Sequence, residues 1–424
     1  VTTSARLRGM RHLHAFLLTA SVWAVAAANG ALPLWMWALS PTDAFFESMS
    51  GITTTGSTVM TGLDGTPPGI LLWRSLLQWI GGIGFVVTAI ALLPVLRIGG
   101  MQLFRTESSH TGDDEMASAA RFASATISTY LVLTLCCVFA YLIGGMTEFE
   151  AITHAFATVS TGGFSTYDAS FGHFTSAYLE WVATLFMLAG ALPFAWYIRG
   201  VSTRSWGSEQ VWTFLCCLVA VILLLTAWRV AGAGVPLHET LRHVAFSVVS
   251  VVTTTGFATV DYTTWGPLAV AVFFCLTVVG GCTGSTSGGV KFMRWVVTFK
   301  AIRAQLRAIR YPDAITTFRY DGQSVGRDVV NGVAAFFMIG ALTIFFIAMI
   351  LAFHGLDMMT AISGAATAVA NVGPGVGDMI GPSGNFATLP DGAKWALSFG
   401  MYAGRLEMLT VFVLATPVFW RELA

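Results

Sequence analysis

Four short runs of threonine, serine, asparagine and glycine recur along the chain and could coordinate a cation. They are Thr53-Thr54-Thr55-Gly56, Val159-Ser160-Thr161-Gly162, Thr253-Thr254-Thr255-Gly256 and Ala370-Asn371-Val372-Gly373. From glycine to glycine the copies are 106, 94 and 117 residues apart, a spacing typical of one structural unit used four times. Four equal units predict a pseudo-fourfold axis, on which every unit places the same short run.

The chemistry available to these runs is ion coordination by backbone carbonyl oxygens. Glycine accepts positive φ and a close approach of other backbone, so successive carbonyls of each run can face the axis. Rings of four carbonyls can replace the hydration shell of a monovalent cation. One such run alone would more often be a simple helix end, but four copies favour a shared site. The apolar segments carry no pattern of a catalytic dyad or a metal cluster, so the sequence does not indicate an enzyme.

Composition identifies the environment in which these runs must be placed. Hydrophobic residues make up 55% of the 424 residues, charged residues 10%, and the mean hydropathy is +0.72. Soluble proteins are about a quarter charged. Apolar stretches of about 20 residues, each long enough to cross a bilayer as a helix, recur along the chain. The sequence therefore predicts an all-α polytopic membrane protein.

Each run follows a short helix that lies between two apolar spans. The predicted spans are residues 14–37, 70–96, 122–143, 178–198, 211–231, 267–290, 329–353 and 395–419, and the short helices are 45–54, 149–159, 239–252 and 358–370. Irregular backbone at membrane depth is tolerated only where protein or a water-filled cavity satisfies it. We therefore expect four repeats of span, re-entrant half-helix and span around a central pore. The expected repeats are residues 1–98, 99–204, 205–310 and 311–424.

The distribution of charge predicts the orientation. With the ends of each repeat in the cytoplasm, the inner side carries most of the 22 Lys and Arg residues, as the positive-inside rule requires. The outer side keeps Arg74, Arg229, Arg242 and Lys394 against an acidic excess, a net charge of about −8 that would concentrate cations or simply accompany that rule. Both termini are therefore expected inside. The basic run 291–310 could lie along the inner membrane surface, dock a cytoplasmic partner or be an ordinary linker.

Two features of the last two repeats could control passage along the axis. The stretch from Gly280 to Gly289 lies inside a predicted span, and its glycine and hydroxyl residues would unwind a helix and form a plug. Arg405 is predicted to be the only basic residue well inside a span, and Glu407 lies two positions on. Because an intramembrane charge is costly, it is by default functional. Arg405 could form a positive barrier that pairs with the glycine-rich stretch, or a buried structural ion pair.

The same motifs resemble those of the TrkH/KtrB/HKT superfamily of potassium transporters, and most closely the bacterial TrkH branch. The matching segments cover the chain from about residue 10 to the end, in fixed order: 53–56, 78–82, 160–165, 253–257, 280–291, 371–375 and 404–407. So many motifs in one order make the resemblance specific. TrkH proteins usually carry a further pair of helices before the first repeat, so the chain is expected to be truncated or a shorter variant.

The resemblance implies a role for each group of residues. Gly56, Gly162, Gly256 and Gly373 would be the selectivity glycines, and glycine at the first of these positions favours potassium, because sodium-preferring plant relatives have serine there. The implied ion-binding residues are Thr54, Thr55, Gly56, Ser160, Thr161, Gly162, Thr254, Thr255, Gly256, Asn371, Val372 and Gly373. The implied gate residues are Gly280, Gly281, Thr283, Gly284, Ser285, Thr286, Gly288, Gly289 and Arg405.

The resemblance also implies the function and the partners. The chain would be the pore-forming subunit of a potassium-uptake system in the bacterial inner membrane, with K⁺ as the transported ion and no covalently bound cofactor. It would form a homodimer among membrane lipids and work with a cytoplasmic nucleotide-binding ring protein of the TrkA or KtrA type, not with nucleic acid. A sodium-permeable pore or a Na⁺- or H⁺-coupled K⁺ symporter is the alternative.

Overall fold

Helices make up nearly all the secondary structure in the computed structural model, which describes residues 12–91, 115–311 and 318–423. In chain order they are α1 (His12–Trp37), α2 (Pro41–Ile52), α3 (Pro68–Ala91), α4 (Glu115–Ile143), α5 (Glu148–Val159), α6 (Ala177–Ala191), α7 (Phe194–Thr203), α8 (Glu209–Ala233), α9 (Leu237–Val252), α10 (Pro267–Val278), α11 (Phe292–Arg310), α12 (Arg327–Phe353), α13 (Met358–Ala370), α14 (Asp391–Arg405), α15 (Leu409–Leu414) and α16 (Pro417–Leu423). A hairpin of β1 (Arg319–Tyr320) and β2 (Gln323–Ser324) separates α11 from α12.

The four predicted half-helices are present as α2, α5, α9 and α13. Three begin with a side-chain cap: Ser40, Thr147 and Asp357 each accept the backbone N–H three positions on, at 3.1, 3.3 and 3.0 Å. Such caps satisfy orphan N–H groups of the first turn and fix where the helix starts. Pro236 precedes α9 without a side-chain cap. The carboxyl-terminal halves of all four helices are buried, so they lie inside the protein rather than against lipid.

Each half-helix packs in the same way, and this closes the repeats into a ring. It contacts the long helices before and after it in its own repeat, and also the second long helix of the preceding repeat. The latter contacts are α3 with α5, α6 with α9, α10 with α13 and α14 with α2. Because the fourth repeat reaches back to the first, the half-helices surround a common centre, as expected for a pseudo-fourfold arrangement.

The outward faces of the long helices are apolar. Leu224, Phe346 and Phe353 are 71%, 68% and 87% exposed. Among the described residues, five helices are long and apolar enough to cross a membrane, within residues 16–37, 68–86, 121–143, 209–232 and 327–353, and α6 with α7 makes a sixth if the bent pair is one span. Exposed apolar side chains on such helices are stable only in lipid, so the chain is an integral membrane protein.

Of the eight predicted spans, the second spans of repeats 2 and 4 are not single continuous helices. In repeat 2 the chain bends by 88° between α6 and α7, because Pro193 cannot continue the helical hydrogen bonding. In repeat 4 the helix ends at Arg405, and Glu407 and Met408 have positive φ. In repeat 3 the break between α10 and α11 lies where the glycine-rich stretch was predicted to unwind a helix.

The limits of the repeats stay predictions. The boundary predicted at residue 98, and the end of the predicted span 70–96, lie outside the described residues. The boundaries predicted at 204 and 310 fall at the ends of α7 and α11.

Candidate functional site

The four half-helices end in the same backbone turn. One non-glycine residue near the start of each turn has positive φ: 54° at Thr54, 53° at Thr161, 58° at Thr254 and 54° at Asn371. The amide of the next residue donates to the carbonyl five positions back, at 2.8 to 3.1 Å in all four copies. A left-handed conformation is unfavourable for threonine and persists only where the surroundings enforce it. We call residues 53–56, 160–163, 253–256 and 370–373 the four terminal turns, and we count positions in each turn from its non-glycine residue with positive φ.

The backbone corrects the register of the second copy. Two residues after each of these positions stands a glycine with positive φ, namely Gly56, Gly163, Gly256 and Gly373. The prediction that Gly162 is the equivalent of Gly56 was therefore wrong by one residue. Because the second copy contains two adjacent glycines, the sequence spacing could not choose between them, whereas φ does.

These glycines make a closed set of contacts with carbonyl oxygens of the neighbouring repeat. In repeat order a Cβ atom would meet the Gly162 oxygen at Gly56, the Thr255 oxygen at Gly163, the Val372 oxygen at Gly256 and the Thr55 oxygen at Gly373. Each contact would be well inside van der Waals distance, so only glycine fits. The oxygens of Thr55, Gly162, Thr255 and Val372 therefore stand around one centre, and we call them the carbonyl ring.

The structure brings most of the predicted ion-binding residues together. In the first two positions of the terminal turns lie Thr54, Thr55, Thr161, Gly162, Thr254, Thr255, Asn371 and Val372, all buried. Ser160 lies one position earlier, where it caps α5, and its carbonyl accepts the Thr161 hydroxyl at 2.7 Å. Ser160 was included among the predicted ion-binding residues because of the same register error. In the structure the ring oxygen of this repeat belongs to Gly162.

Hydroxyl pairs hold the turns of repeats 1 and 3. The Thr53 and Thr55 hydroxyls are 2.7 Å apart, and those of Thr253 and Thr255 are 2.8 Å apart. Since the Thr53 hydroxyl donates to the Met49 carbonyl at 2.6 Å, the Thr55 hydroxyl must donate to Thr53. These braces are local, because both partners belong to one turn.

Amide side chains hold the turns of repeats 2 and 4. Gln78 Nε2 donates to the Gly162 carbonyl at 2.6 Å, and Gln78 Oε1 accepts the Phe164 N–H at 3.0 Å. In repeat 4, Asn371 Nδ2 donates to the Thr55 hydroxyl at 3.0 Å and to the Met401 carbonyl at 2.9 Å. Gln78 had no predicted role beyond its place in the matching segment 78–82. The signal available in the sequence was an amide residue within an apolar span, shortly before the glycine pair Gly81-Gly82.

A polar cavity of about 300 Å³ lies on the side of the carbonyl ring towards the amino-terminal ends of the half-helices. Its lining includes the four positive-φ glycines, together with Ser57, Thr58, Ser165, Asp168 and Asn385. Arg74 is part of this lining, and it donates to Glu47 at 2.8 Å and to the Ser165 carbonyl at 3.1 Å. Glu47 and Arg74 are 0% and 1% exposed, so Arg74, which was expected on the outer side, forms a buried ion pair with Glu47 at the wall of the cavity.

The glycine-rich stretch forms a closed loop inside the protein. Residues Val279 and Val290 pair as a parallel bridge, and the Gly280 amide donates to the Val290 carbonyl at 3.0 Å, so the loop begins and ends at one place. Residues 280–288 are buried. The predicted gate residues Thr283, Gly284, Ser285 and Thr286 lie at its far side, where Gly284 accepts the Phe194 amide at 3.0 Å.

This loop lies directly against the ends of three half-helices. The Ser287 hydroxyl donates to the Thr253 carbonyl at 2.7 Å, and the Gly288 amide donates to the Thr254 hydroxyl at 2.6 Å. The Thr286 hydroxyl donates to the Val159 carbonyl at 3.1 Å. A Cβ at Gly288 would lie 2.6 Å from the Ala370 carbonyl. The loop therefore closes the side of the terminal turns opposite the polar cavity.

Two buried cations hold the loop. Arg405 Nη1 donates to the Thr286 carbonyl at 3.0 Å, and Lys291 Nζ donates to the Ser287 carbonyl. Both cations also lie over the Phe85 ring, at 4.2 and 4.7 Å from its centre. The geometry matches the pairing of Arg405 with the glycine-rich stretch that was one of its two expected roles.

Arg405 is not the only buried basic residue beside the loop. Lys291 and Arg294 are 2% and 0% exposed, because the loop delays the start of α11 and keeps its first turn inside the protein. Glu407 forms its ion pair with Arg294 rather than with Arg405. The structural ion pair expected at this place therefore exists, but it joins repeats 3 and 4 through a different arginine.

Comparison with known proteins identifies the family to which this chain belongs. The family model described as "TrkH: Cation transport protein" matches residues 2–210 and 206–421. The Trk system potassium uptake protein TrkI of Halomonas elongata is 49% identical over 96% of this chain and 84% of its own length. The Trk system potassium uptake protein TrkH of Escherichia coli K12 is 36% identical over 96% of this chain and 86% of its length. The crystal structure of the potassium transporter TrkH from Vibrio parahaemolyticus superposes with a TM-score of 0.88 at 33% identity, covering 99% of this chain and 88% of that one. The chain belongs to the TrkH family of cation transport proteins.

Proposed function

We propose that the chain is the pore-forming subunit of a potassium-uptake system and conducts K⁺ along the pseudo-fourfold axis. The observation that carries this function is the carbonyl ring of Thr55, Gly162, Thr255 and Val372, one oxygen from each repeat. Relatives over nearly the whole chain are named as potassium uptake proteins.

The carbonyl ring would act as the ion filter. Carbonyl oxygens replace the water around a monovalent cation without supplying a full negative charge that would trap it. The carboxyl ends of α2, α5, α9 and α13 meet here, and each adds the partial negative charge of a helix terminus. The glycine of each turn keeps side chains out of the ring, and a serine at Gly56 would press on the Gly162 oxygen.

The loop from Gly280 to Gly289, with Arg405, would act as the gate. It lies under the terminal turns, and the side chains that hold it are cations that repel a passing K⁺. An apolar cavity of about 410 Å³, lined by Gly288, Gly289, Phe336 and Ile344 among others, lies beside the loop and offers it room to move. The gate is therefore a loop that must leave its bonds to the terminal turns before ions can pass.

The helix α11 links this gate to the cytoplasmic side. It begins at Phe292, directly after the loop, and carries Lys300, Arg303 and Arg307 beside the exposed Phe299 and Ile302. A cytoplasmic nucleotide-binding ring protein of the TrkA or KtrA type that binds α11 would pull on the loop itself. The proposed setting is the bacterial inner membrane, as a homodimer with both termini in the cytoplasm.

Growth of a bacterium without its own potassium uptake tests this function. The chain should restore growth at low K⁺, and Gly56→Ser should lower K⁺ uptake and raise the share of Na⁺ because it distorts the ring. Uptake of Rb⁺ and Na⁺ into proteoliposomes gives the selectivity directly. Exclusive Na⁺ permeation by the unaltered protein would overturn the K⁺ assignment in favour of a sodium-permeable pore.

The Arg405→Ala variant tests the gate. Flux should rise, because the loop loses a hydrogen-bonded cation and the path loses a positive barrier. The matched control is Lys394→Ala, which removes a nearly buried cation paired with Asp43 at 2.6 Å and away from the loop. Unchanged flux with poor folding in Arg405→Ala would assign Arg405 a structural role instead.

A further inference from the structure

We propose that Gln78 is a positioning residue of the ion filter, which holds the Gly162 carbonyl in the ring and so contributes to discrimination between K⁺ and Na⁺. This inference rests on the proposed function of the ring. Gln78 lies on α3, in the first repeat, yet both of its side-chain bonds go to the terminal turn of the second repeat and the residue that follows it.

The two bonds fix the orientation of the Gln78 side-chain amide. A carbonyl oxygen only accepts and a backbone N–H only donates, so Nε2 must face Gly162 and Oε1 must face Phe164. The 2.6 and 3.0 Å bonds therefore hold the chain on both sides of Gly163, the glycine with positive φ. Gln78 is 0% exposed, so both bonds are made inside the protein.

Gln78 occupies space that the other repeats fill with a side chain of the turn itself. At the ring position, repeats 1 and 3 have Thr55 and Thr255, each held by its hydroxyl pair. Repeat 2 has Gly162, and a Cβ there would overlap the Gln78 amide carbon. The absence of a side chain at Gly162 and the presence of Gln78 are thus two parts of one arrangement.

The residues next to Gln78 explain how α3 reaches this place. Gly81 and Gly82 follow one turn later, where a Cβ at Gly81 would overlap the Ile52 carbonyl and a Cβ at Gly82 would lie 2.8 Å from Ser160 Cβ. The glycine pair lets α3 lie directly between the ends of α2 and α5. Trp79 fixes its rotation through a 3.2 Å hydrogen bond to the Thr134 hydroxyl. The segment 78–82 therefore positions one side-chain amide next to the ring.

The consequence for ions follows from carbonyl chemistry. A carbonyl oxygen has two lone pairs, and one taken by Gln78 leaves the other for the axis. The donated bond also opposes movement of this oxygen towards a smaller ion. Since Na⁺ needs shorter contacts than K⁺, an oxygen that cannot follow it inward favours K⁺.

The experiment compares Rb⁺ and Na⁺ uptake into proteoliposomes for the unaltered chain, Gln78→Met, Gln78→Glu and Ser75→Ala. Met has a similar length but neither bond, whereas Glu keeps an acceptor for Phe164 and loses the donor for Gly162. Ser75 is the control, because it is buried one turn earlier on α3 and bonds only to its own helix, at 3.3 and 3.0 Å. We expect the Rb⁺/Na⁺ ratio to fall about 10-fold in both Gln78 variants, the equivalent of about 1.4 kcal/mol, and to stay unchanged in Ser75→Ala.

The outcomes separate this inference from the proposed function. Thermal unfolding, measured on the same samples, shows how much of any loss of flux comes from stability, which does not by itself alter the ratio. Variants that are less stable but keep the parental ratio would overturn the positioning role while leaving the function intact. A parent that prefers Na⁺ contradicts the proposed function, and a shifted ratio in the variants would still support Gln78. A parent without any cation flux contradicts both.

Discussion

Repeats 1 and 3 hold their terminal turns with a hydroxyl pair inside the turn, whereas repeats 2 and 4 use an amide side chain that reaches across a repeat boundary. The backbone is the same in all four, with φ between 53° and 58° at the first position. The side chains that hold it therefore follow a twofold pattern within a fourfold backbone. All four carbonyl oxygens must occupy equivalent positions in the ring, and different side chains hold them there in different repeats.

This difference has a mechanical consequence. The pairs Thr53–Thr55 and Thr253–Thr255 would survive small shifts between repeats, because both partners move together. Gln78 ties repeat 1 to repeat 2, and Asn371 ties repeat 4 to repeat 1 through Thr55. Repeats 2 and 4 thus depend on their neighbours, and damage to one of these amides should spread around the ring.

The largest effect is expected where the fourfold backbone itself is broken. In Gly163→Ala a Cβ would overlap the Thr255 carbonyl, and backbone cannot yield as a side chain can. The overpacking should raise the free energy of the conducting form of the ring by about 3 kcal/mol. K⁺ uptake should therefore fall roughly 100-fold. Gly62→Ala is the control, since Gly62 also has positive φ (71°) but nothing within 4 Å of a Cβ. It should show only the backbone strain of about 1 kcal/mol and normal uptake.

Gly162→Ala completes this comparison. Its Cβ meets the Gln78 side chain rather than backbone, so uptake should fall less than in Gly163→Ala, and the ion ratio should change as in the Gln78 variants. If Gly162→Ala proved the more damaging of the two, the corrected register would be wrong.

A moderate effect is expected from the hydroxyl braces, and it should differ between repeats 1 and 3. Thr55→Val removes the hydroxyl pair and also an acceptor of the buried Asn371 amide, whereas Thr255→Val removes a pair alone. Buried hydrogen-bonding groups left without a partner cost about 1–3 kcal/mol, against about 1 kcal/mol for an ordinary bond. Thermal unfolding should therefore show Thr55→Val to be the less stable variant. Equal effects would mean that the tie between repeats 4 and 1 adds nothing.

The smallest effect is expected at the far end of a half-helix. Hydrogen bonds from the Thr360 side chain and amide lower the pKa of Asp357, which caps α13. Because the folded value is the lower one, the carboxylate stabilises the fold at neutral pH, and this contribution is lost as the pH falls below about 4. Asp357→Ala should cost about 1 kcal/mol at pH 7, less in acid, and leave the Rb⁺/Na⁺ ratio unchanged.

Asp357→Asn supplies the control for that change, because asparagine can still cap α13 but does not titrate in this range. Its stability should stay near that of the parent at pH 7. A changed ion ratio in Asp357→Ala would mean that the ring senses the whole half-helix and not only its braces.

Much of this architecture could be predicted from particular residues. The four half-helices, their order and the loop at Gly280 followed from composition, periodicity and the glycine runs, and the structure confirms them. The bend at Pro193 and the helix end at Arg405 were missed, since both lie in stretches apolar enough to predict unbroken spans. The register at Gly162-Gly163 was missed because two adjacent glycines satisfy the same pattern.

Hydrophobicity and glycine spacing are local properties of the chain, so they suffice to predict that four equivalent units with backbone oxygens at their ends gather in a membrane. The folded arrangement is needed to know which glycine faces the neighbouring carbonyl, which cation pairs with Glu407, and that Gln78 bonds to a repeat other than its own. These are contacts between segments distant in sequence, so they depend on how the helices pack and not on any one segment.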